Sequence, residues 1–152
     1  DLVFDLALRR AGCRFVWQPQ AIAYFRPRPT LGAFFRQYYL YARGDGKADL
    51  WRSRHAIRYT TYGVLLPLLL ALSRRHAAAA LALLLLGGAY VRRPYQRLWR
   101  LTAGQPAAVR LAALPLPPLI RLTGDVAKML GYPVGVLWRW RRNPPCSAGR
   151  WL

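Results

Sequence analysis

Few side chains in this sequence have the type and spacing that catalysis or metal binding needs. The chain has five acidic residues, all aspartates: Asp1, Asp5, Asp45, Asp49 and Asp125. Asp1 falls at the start of a predicted helix, where a carboxylate is ordinarily stabilised by the helix dipole. His55 and His76 stand alone among arginines and lack the spacing of metal ligands. From residue types alone, Asp1 is a helix-start carboxylate, and no metal site is predicted.

A second group of polar side chains falls on a helix predicted to begin after Thr30, whose hydroxyl can cap it. Large apolar residues recur at helical spacing along one face of this helix: Leu31, Phe34, Phe35, Tyr38 and Tyr41. Such a helix lies either in the plane of a membrane interface or against the core of a folded domain. Arg36 and Gln37 are accordingly either solvated positions or ligand-binding residues. Gly44 and Gly46 are predicted to break the helix.

The composition combines a high apolar content with a large positive charge. Apolar residues make up 55% of the chain, yet 24 Lys and Arg against five acids give a formal charge of +19. Soluble domains rarely combine the two. The arginines flank two uncharged apolar runs, residues 59–72 and 77–91, a placement that suits anionic lipid headgroups. Nucleic acid is the rival partner, but no recognised nucleic-acid motif accompanies the arginines, so membrane lipids are the expected partner and nucleic acid is not.

The two apolar runs predict a membrane helical hairpin over residues 56–100. They contain fourteen and fifteen residues, whereas a full bilayer span needs about 20. The hairpin therefore either crosses the bilayer, with its flanking arginines reaching the headgroups, or enters and leaves on one side. Because the flanks carry more cations than the connector at residues 73–76, both outer ends are expected in the cytoplasm and the protein in the cell membrane. A buried hairpin of a soluble protein is the alternative.

The C-terminal part predicts amphipathic helices that dock on the membrane or on the hairpin. A short helix over residues 107–114 is followed by three prolines that force a bend. Beyond the bend, an apolar stripe recurs at helical spacing: Leu119, Leu122, Val126 and Leu130. Arg121, Asp125 and Lys128 form the opposite stripe, and the first two have the four-residue spacing of an ion pair. Pro133 is predicted to interrupt the helix before a segment rich in Trp and Arg, typical of an interfacial anchor.

The N-terminal thirty residues predict a helix and two short strands. Leucines and other good helix formers favour a helix over residues 2–11, and a glycine follows that can stop it. Aromatic and β-branched residues favour strands over residues 14–17 and 21–25, with Pro19 between them. Because there is no initiator Met and the helical pattern has already begun at Asp1, the chain is expected to be a fragment whose N-terminal part lies upstream.

The same region resembles the end of the catalytic domain of family 2 glycosyltransferases. Residues 5–12, DLALRRAG, are similar to the end of a helix that opens on a Glu-Asp motif in that family, and Pro19 and Ala21 match the turn between the two strands that follow. The Asp of the motif falls on Asp1. The later RQYYLYARGDGKA looks like the segment that joins the catalytic domain to membrane helices in many members. The resemblance covers about residues 1–50.

The resemblance implies an α/β fold of the GT-A type and an inverting sugar transfer. Asp1 would act as general base, a carboxylate within hydrogen-bond reach of the attacking hydroxyl. Gln37 matches the first residue of a Q-x-x-R-W motif, so Gln37 and the adjacent Arg36 would contact substrate. The Arg-Trp of that motif is absent, which argues against processive polymer synthesis. Phe25 stands where many members have a His.

The resemblance also places the donor-binding parts outside this chain. Family members bind the nucleotide on early strands and hold a divalent metal, Mg or Mn, through an Asp-x-Asp motif, and this chain contains neither. No cofactor is therefore expected within the chain, although the resemblance implies a divalent metal for the full-length enzyme. The chain is not expected to be catalytic alone.

Together these patterns predict a mostly α chain, with a residual α/β edge of a GT-A domain followed by a membrane helical hairpin and amphipathic helices. Residues 1–29 would be the remnant of the catalytic domain, 30–55 an interfacial helix and linker, 56–100 the hairpin, and 101–152 amphipathic helices and a basic tail. The expected function is transfer of a sugar from a nucleotide-sugar donor to a lipid-linked or cell-envelope acceptor. A non-enzymatic membrane anchor or scaffold and a basic nucleic-acid-binding protein are the alternatives.

Overall fold

The computed structural model describes residues 2–142 and is mostly α-helical, as predicted. Seven α-helices and one π-helical segment follow one another along the described chain. They are α1 (Leu2–Arg10), α2 (Leu31–Ala48), α3 (Arg52–Thr60), the π-helical segment (Thr61–Leu65), α4 (Leu66–Ser73), α5 (Ala77–Leu101), α6 (Ala107–Ala113) and α7 (Leu116–Arg142).

The two predicted strands are not formed. Residues 14–17 and 21–25 have no strand assignment, and residues 11–30 are exposed throughout. The turn at Pro19 is present, since the backbone N–H of Ala21 donates to the carbonyl of Gln18 at 3.1 Å. A strand persists only where a neighbouring strand satisfies its backbone hydrogen bonds, and residues 2–142 supply none. The predicted α/β edge is therefore not formed among the described residues.

The centre of the fold is the crossing of α2 and α7, which small residues bring into backbone contact. Ala42 and Gly46 on α2, and Ala127, Gly131 and Gly135 on α7, each follow one another at four-residue spacing and are all buried. A Cβ on any of the three glycines would lie closer than 3.0 Å to backbone of the facing helix, a separation that real Cβ atoms essentially never show. The spacing is that of small-xxx-small helix packing.

Two sequence predictions about helix ends were wrong. Neither Gly44 nor Gly46 breaks α2; the helix continues to Ala48, and Gly46 serves the helix contact and not a turn. Pro133 does not interrupt α7, which runs unbroken from Leu116 to Arg142. Proline lacks the N–H that would bond the carbonyl four residues earlier, and here the Tyr59 hydroxyl donates to that Met129 carbonyl at 2.6 Å.

A long helical stretch and α5 form the second layer. α3, the π-helical segment and α4 run on from one to the next, and three residues, 74–76, separate α4 from α5, against which it packs. Arg52–Ser73 is long and apolar enough to cross a membrane, judged by length and composition only, and it is the one such stretch in the described part of the chain. Its apolar side chains and those of α5 are largely exposed, with Leu84 at 73%.

The predicted apolar stripe of α7 is not the face that packs. Leu122 is 47% exposed and Leu130 is 55% exposed, whereas the small residues on another face are buried. The aromatic face of α2 is divided in a similar way. Phe34 and Tyr38 lie beside α7, while Tyr41 is exposed. Hydrophobic periodicity selected the largest side chains, but a backbone-to-backbone crossing requires the smallest ones.

The α2–α7 crossing predicts opposite effects of the same substitution at two positions of one helix. Gly46→Ala should lower the free energy of unfolding by about 1–3 kcal/mol, the usual cost of overpacking, because its Cβ would meet the backbone of Tyr132 and Val136. Gly44→Ala is the matched control, since nothing lies within 4 Å of its Cβ. It should raise stability by about 0.5–1 kcal/mol through helix propensity. Denaturant unfolding followed by circular dichroism measures both, and equal effects would contradict the crossing.

Candidate functional site

A basic cleft lies between α2, α3, α5 and α7, with a volume of about 680 Å³. Five cationic side chains line it: Arg58, Arg93, Arg97, Arg121 and Lys128. Asp125 is the one acid among the described residues of its wall, so the cleft keeps a formal excess of four positive charges. Phe34 and Tyr38 of α2 supply aromatic surface on one side. An anion is the chemically matched ligand for such a lining.

Asp125 connects three helices at the base of this cleft. Its Oδ1 accepts from Arg58 Nε at 2.9 Å, and its Oδ2 accepts from the hydroxyls of Tyr90 at 2.7 Å and Tyr62 at 3.0 Å. Burial alone would raise the pKa of Asp125, but hydrogen bonds from Tyr90, Arg58 and Tyr62 outweigh it and hold the pKa below its ordinary value. Asp125 is therefore charged at neutral pH and neutralises part of Arg58.

Arg121 does not form the predicted ion pair with Asp125. Its guanidinium lies over the Tyr90 ring, 4.2 Å from the ring centre, and Asp125 pairs with Arg58 from another helix. The four-residue spacing does place Arg121 and Asp125 on the same side of α7. The ion pair does not form because Arg58 and two tyrosine hydroxyls already occupy the Asp125 carboxylate. The consequence is that the charge of Arg121 stays available on the cleft wall.

Lys128 contributes a crowded cation on the same wall. It is half-buried, and its Nζ lies 4.7 Å from the centre of the Tyr38 ring. Burial, reinforced by the nearby charge of Arg58, lowers the pKa of Lys128 below its ordinary value. The effect of Arg58 reflects the positive charge of the cleft, which Asp125 only partly offsets. A bound anion would relieve that excess.

A cluster of polar side chains next to Arg58 connects α2, α3 and α7. His55, 3% exposed, stacks on Tyr132 with ring centres 3.9 Å apart. One ring nitrogen lies 3.3 Å from Asp45 Oδ2 and the other lies 3.3 Å from Arg58. These contacts fix the start of α3, and so they set the direction in which Arg58 enters the cleft.

A second carboxylate, Asp49, closes the corner between α2 and α3. It adopts a left-handed backbone conformation with φ of 59° and accepts from both Arg52 and Arg139, the latter at 2.6 Å. The hydrogen bond from Arg52 outweighs the opposing effect of burial and, with the charge of Arg139, lowers the pKa of Asp49. Arg139 also donates to the Gly46 carbonyl at 2.9 Å. Asp49 thus forms ion pairs that hold the C-terminal part of α7 against the corner between α2 and α3.

Arg36 and Gln37, two of the three residues predicted to form the site, do not line this cleft. The third, Asp1, lies outside the described residues. Arg36 and Gln37 line a separate hollow of about 380 Å³ on another face of α2. There the Gln37 side chain accepts from Arg28 Nε at 3.3 Å and donates to the Tyr41 hydroxyl at 2.7 Å. The proposed roles of Asp1, Arg36 and Gln37 stay predictions.

The sequence carried a partial signal for the cleft. The stripe of Arg121, Asp125 and Lys128 on α7 was recognised as the polar face of a helix, and that stripe faces the cleft. Tyr62 and Tyr90 were passed over as members of apolar runs, although a tyrosine hydroxyl inside such a run requires a partner. What pattern reasoning could not supply was the pairing of helices that brings both hydroxyls to one carboxylate.

An apolar groove of about 300 Å³ adjoins the cleft. Its lining comes from the π-helical segment, α4, α5 and α7, and includes Leu65, Leu69, Leu86, Pro118 and Leu122. Tyr62 and Tyr90, which bond Asp125 on the cleft side, also line the groove. Side chains that line the groove are therefore in direct contact with a side chain that lines the cleft.

The described residues give no candidate site for the divalent metal that the resemblance implies. Residues 2–142 contain no group of three or more His, Cys, Asp or Glu side chains that could hold a metal ion. Comparisons of the chain with protein-family models, with curated proteins and with solved structures find no match. The functional conclusion therefore depends on the residues and the geometry of the chain itself.

The lowered pKa of Asp125 predicts acid sensitivity. The ordinary value is 3.8 and the folded value is lower, so the stabilisation is fully present above about pH 4 and is lost as pH falls through the folded-state pKa. Asp125→Asn should lower the unfolding free energy at pH 7 and flatten its decline below about pH 4. Asp5→Asn, on α1, is the control. Urea unfolding at a series of pH values tests this, and an unchanged acid limb in Asp125→Asn would contradict the assignment.

Proposed function

We propose that the chain is the membrane-associated C-terminal part of an inverting family 2 glycosyltransferase. The full-length enzyme would transfer a sugar from a nucleotide-sugar donor to a lipid-linked or cell-envelope acceptor on the cytoplasmic side of the cell membrane. The resemblance of residues 1–50 to the end of the family's catalytic domain supports the activity. The exposed apolar surface of α4 and α5 supports the location.

The main support for the proposal is that this apolar surface is exposed and is flanked by arginines at both ends. Leu68, Leu70, Leu81, Leu84 and Leu85 are all exposed, at 49–73%. Monomeric soluble proteins rarely expose large contiguous apolar patches, whereas helices in contact with lipid must. Arginines stand at both ends, Arg74 and Arg75 at the turn and Arg92 and Arg93 on α5, as headgroup contact requires.

In this proposal the chemistry belongs to residues at and before the start of the chain. Asp1 would take the proton from the acceptor hydroxyl as it attacks the sugar. Gln37 and Arg36, together in the hollow on α2, would position acceptor or donor. The nucleotide and its divalent metal would be held upstream of Asp1. The helices described here would keep the catalytic domain at the membrane surface.

A non-enzymatic membrane anchor or scaffold is the second candidate. It is favoured by the use of Asp45, Asp49 and Asp125 in structural pairs, which leaves no free carboxylate among them for catalysis. This second candidate would be identified if the protein binds membranes and sugar transfer does not depend on Asp1. A nucleic-acid-binding role is less favoured, because the cations border an exposed apolar surface and lack a recognised nucleic-acid motif.

Membrane residence predicts a defined fractionation result. In cells expressing the chain, the protein should sediment with membranes and stay there after washing with 1 M salt, roughly tenfold above the ionic strength at which the Debye length is about 10 Å. It should also resist sodium carbonate. A charge-only attachment would be released by the salt wash, and release by carbonate would contradict burial of the α4–α5 surface in lipid.

The base assignment predicts a specific kinetic effect in the protein that contains this chain. Asp1→Asn should lower turnover by roughly 10²–10⁴-fold, the usual contribution of general-base assistance, with nucleotide affinity largely retained. Gln37→Ala should act more mildly, through positioning. Asp5→Asn is the control and should have little effect. Near-normal turnover of Asp1→Asn with an identified acceptor would return Asp1 to a helix-start carboxylate.

A further inference from the structure

We propose that the basic cleft and the adjoining apolar groove together bind one lipid molecule through a terminal phosphate group. The phosphate would lie among Arg58, Arg93, Arg97, Arg121 and Lys128, and the apolar chain would lie in the groove beside it. This site is separate from the hollow of Arg36 and Gln37 and does not depend on sugar transfer. It depends only on access of the groove to lipid.

The cleft has the charge that a phosphate needs. Arg93 and Arg97 are one helical turn apart on α5 and exposed, and within residues 2–142 neither side chain forms a hydrogen bond, ion pair or ring contact. Guanidinium groups bind phosphate through paired N–H donors, with a geometry and strength that a point charge lacks. These two arginines are therefore free to engage a ligand without breaking an existing contact.

The other three cations are held in place by the protein. Arg58 is fixed by Asp125, Arg121 lies over the Tyr90 ring, and Lys128 lies over the Tyr38 ring. A cation fixed by packing loses little conformational freedom when an anion arrives. The cleft thus combines a preorganised wall with two exposed arginines, Arg93 and Arg97, that can turn toward the ligand.

The groove supplies the second half of an amphiphile site. Neighbouring residues divide between the two hollows: on α5, Val91 lines the groove and Arg93 the cleft, and on α7, Leu122 lines the groove and Arg121 the cleft. The boundary between them is formed by Tyr62 and Tyr90, whose hydroxyl oxygens lie 2.6 Å apart. A ligand that is anionic at one end and apolar at the other fits this arrangement.

The direction of the groove agrees with a lipid in a bilayer. Arg58 lies near the start of the candidate membrane span, Arg52–Ser73, and the groove residues Leu65, Leu66 and Leu69 follow it within that span. The cleft therefore lies toward the N-terminal end of the span and the groove toward its apolar middle. A phosphate at headgroup depth and a chain directed inward have that order.

The experiment measures the dissociation constant of the purified chain, in a neutral phosphate-free detergent, for micelles that contain a fluorescent phosphatidic acid. Micelles of phosphatidylserine, adjusted to the same surface charge, are the lipid control. We expect phosphatidic acid to bind about tenfold or more tightly than phosphatidylserine, because its terminal phosphate can enter the cleft. Equal affinity for the two lipids would overturn the proposal.

Charge-matched variants locate the site. Arg93→Gln with Arg97→Gln should weaken binding of phosphatidic acid about tenfold or more. Arg74→Gln with Arg75→Gln removes the same charge at the turn before α5 and should weaken it far less. Unchanged helical circular dichroism shows that each variant folds. Equal losses in both double variants would mean attraction to surface charge alone, and would overturn the site.

A second pair of variants tests the groove. Leu69→Gln with Leu86→Gln places amides on its wall and should weaken binding of phosphatidic acid, whereas Leu68→Gln with Leu84→Gln changes exposed leucines outside it.

Inorganic pyrophosphate and glycerol phosphate are the soluble competitors, and we expect neither to displace the lipid at equal concentration. Displacement by either would show a soluble phosphate site, and displacement by duplex RNA a nucleic-acid site; each result contradicts a lipid site. Whether sugar transfer depends on Asp1 is a separate measurement that leaves this result unaffected.

Discussion

The rest of the structure depends on the backbone contact between α2 and α7. Small residues at four-residue intervals let the two helices approach until no side chain fits between them at Gly46, Gly131 and Gly135. That approach brings Tyr132 against His55, and it places the Met129 carbonyl within reach of Tyr59. The start of α3 is fixed by these contacts, and the long apolar stretch leaves the crossing in a fixed direction. His55 contacts both helices, through Asp45 of α2 and Tyr132 of α7, so wider separation of the two helices would break at least one of these contacts.

The scarcity of acids gives this arrangement its electrostatic character. Asp45, Asp49 and Asp125 each sit at a junction between helices, and each holds a cationic or histidine partner. Those pairs stabilise the junctions, but they neutralise only a small part of a chain with a formal charge of +19. Among the other cations, Arg74, Arg75 and Arg92 border the apolar surface, and Arg93, Arg97, Arg121 and Lys128 line the cleft. The protein therefore meets its surroundings with exposed leucines beside unneutralised arginines, the combination that a membrane interface accommodates.

Sequence reasoning predicted the element types well wherever tertiary contact did not override local preference. The helix after Thr30, the two helices of the apolar runs and the short helix before the triple proline all form, and Thr30 caps α2 through a bond from Ala33. The strands of residues 14–17 and 21–25 failed because a strand requires a neighbour. Gly46 and Pro133 were misread because their roles depend on a helix and a hydroxyl distant in sequence. The cleft was half visible, as the polar stripe of α7, and the residues that complete it come from helices whose pairing no local pattern encodes.

We infer that one molecular face divides into a lipid-facing apolar part and a basic part at headgroup depth. Spin-label accessibility in reconstituted phospholipid vesicles tests it directly, with single labels at Leu68, Leu84 and Arg97 in a variant lacking Cys13 and Cys146. We expect labels at Leu68 and Leu84 to be accessible to oxygen and shielded from a water-soluble nickel reagent. The label at Arg97 should be accessible to the nickel reagent. Equal nickel accessibility at all three positions would place the leucines in water and contradict the account.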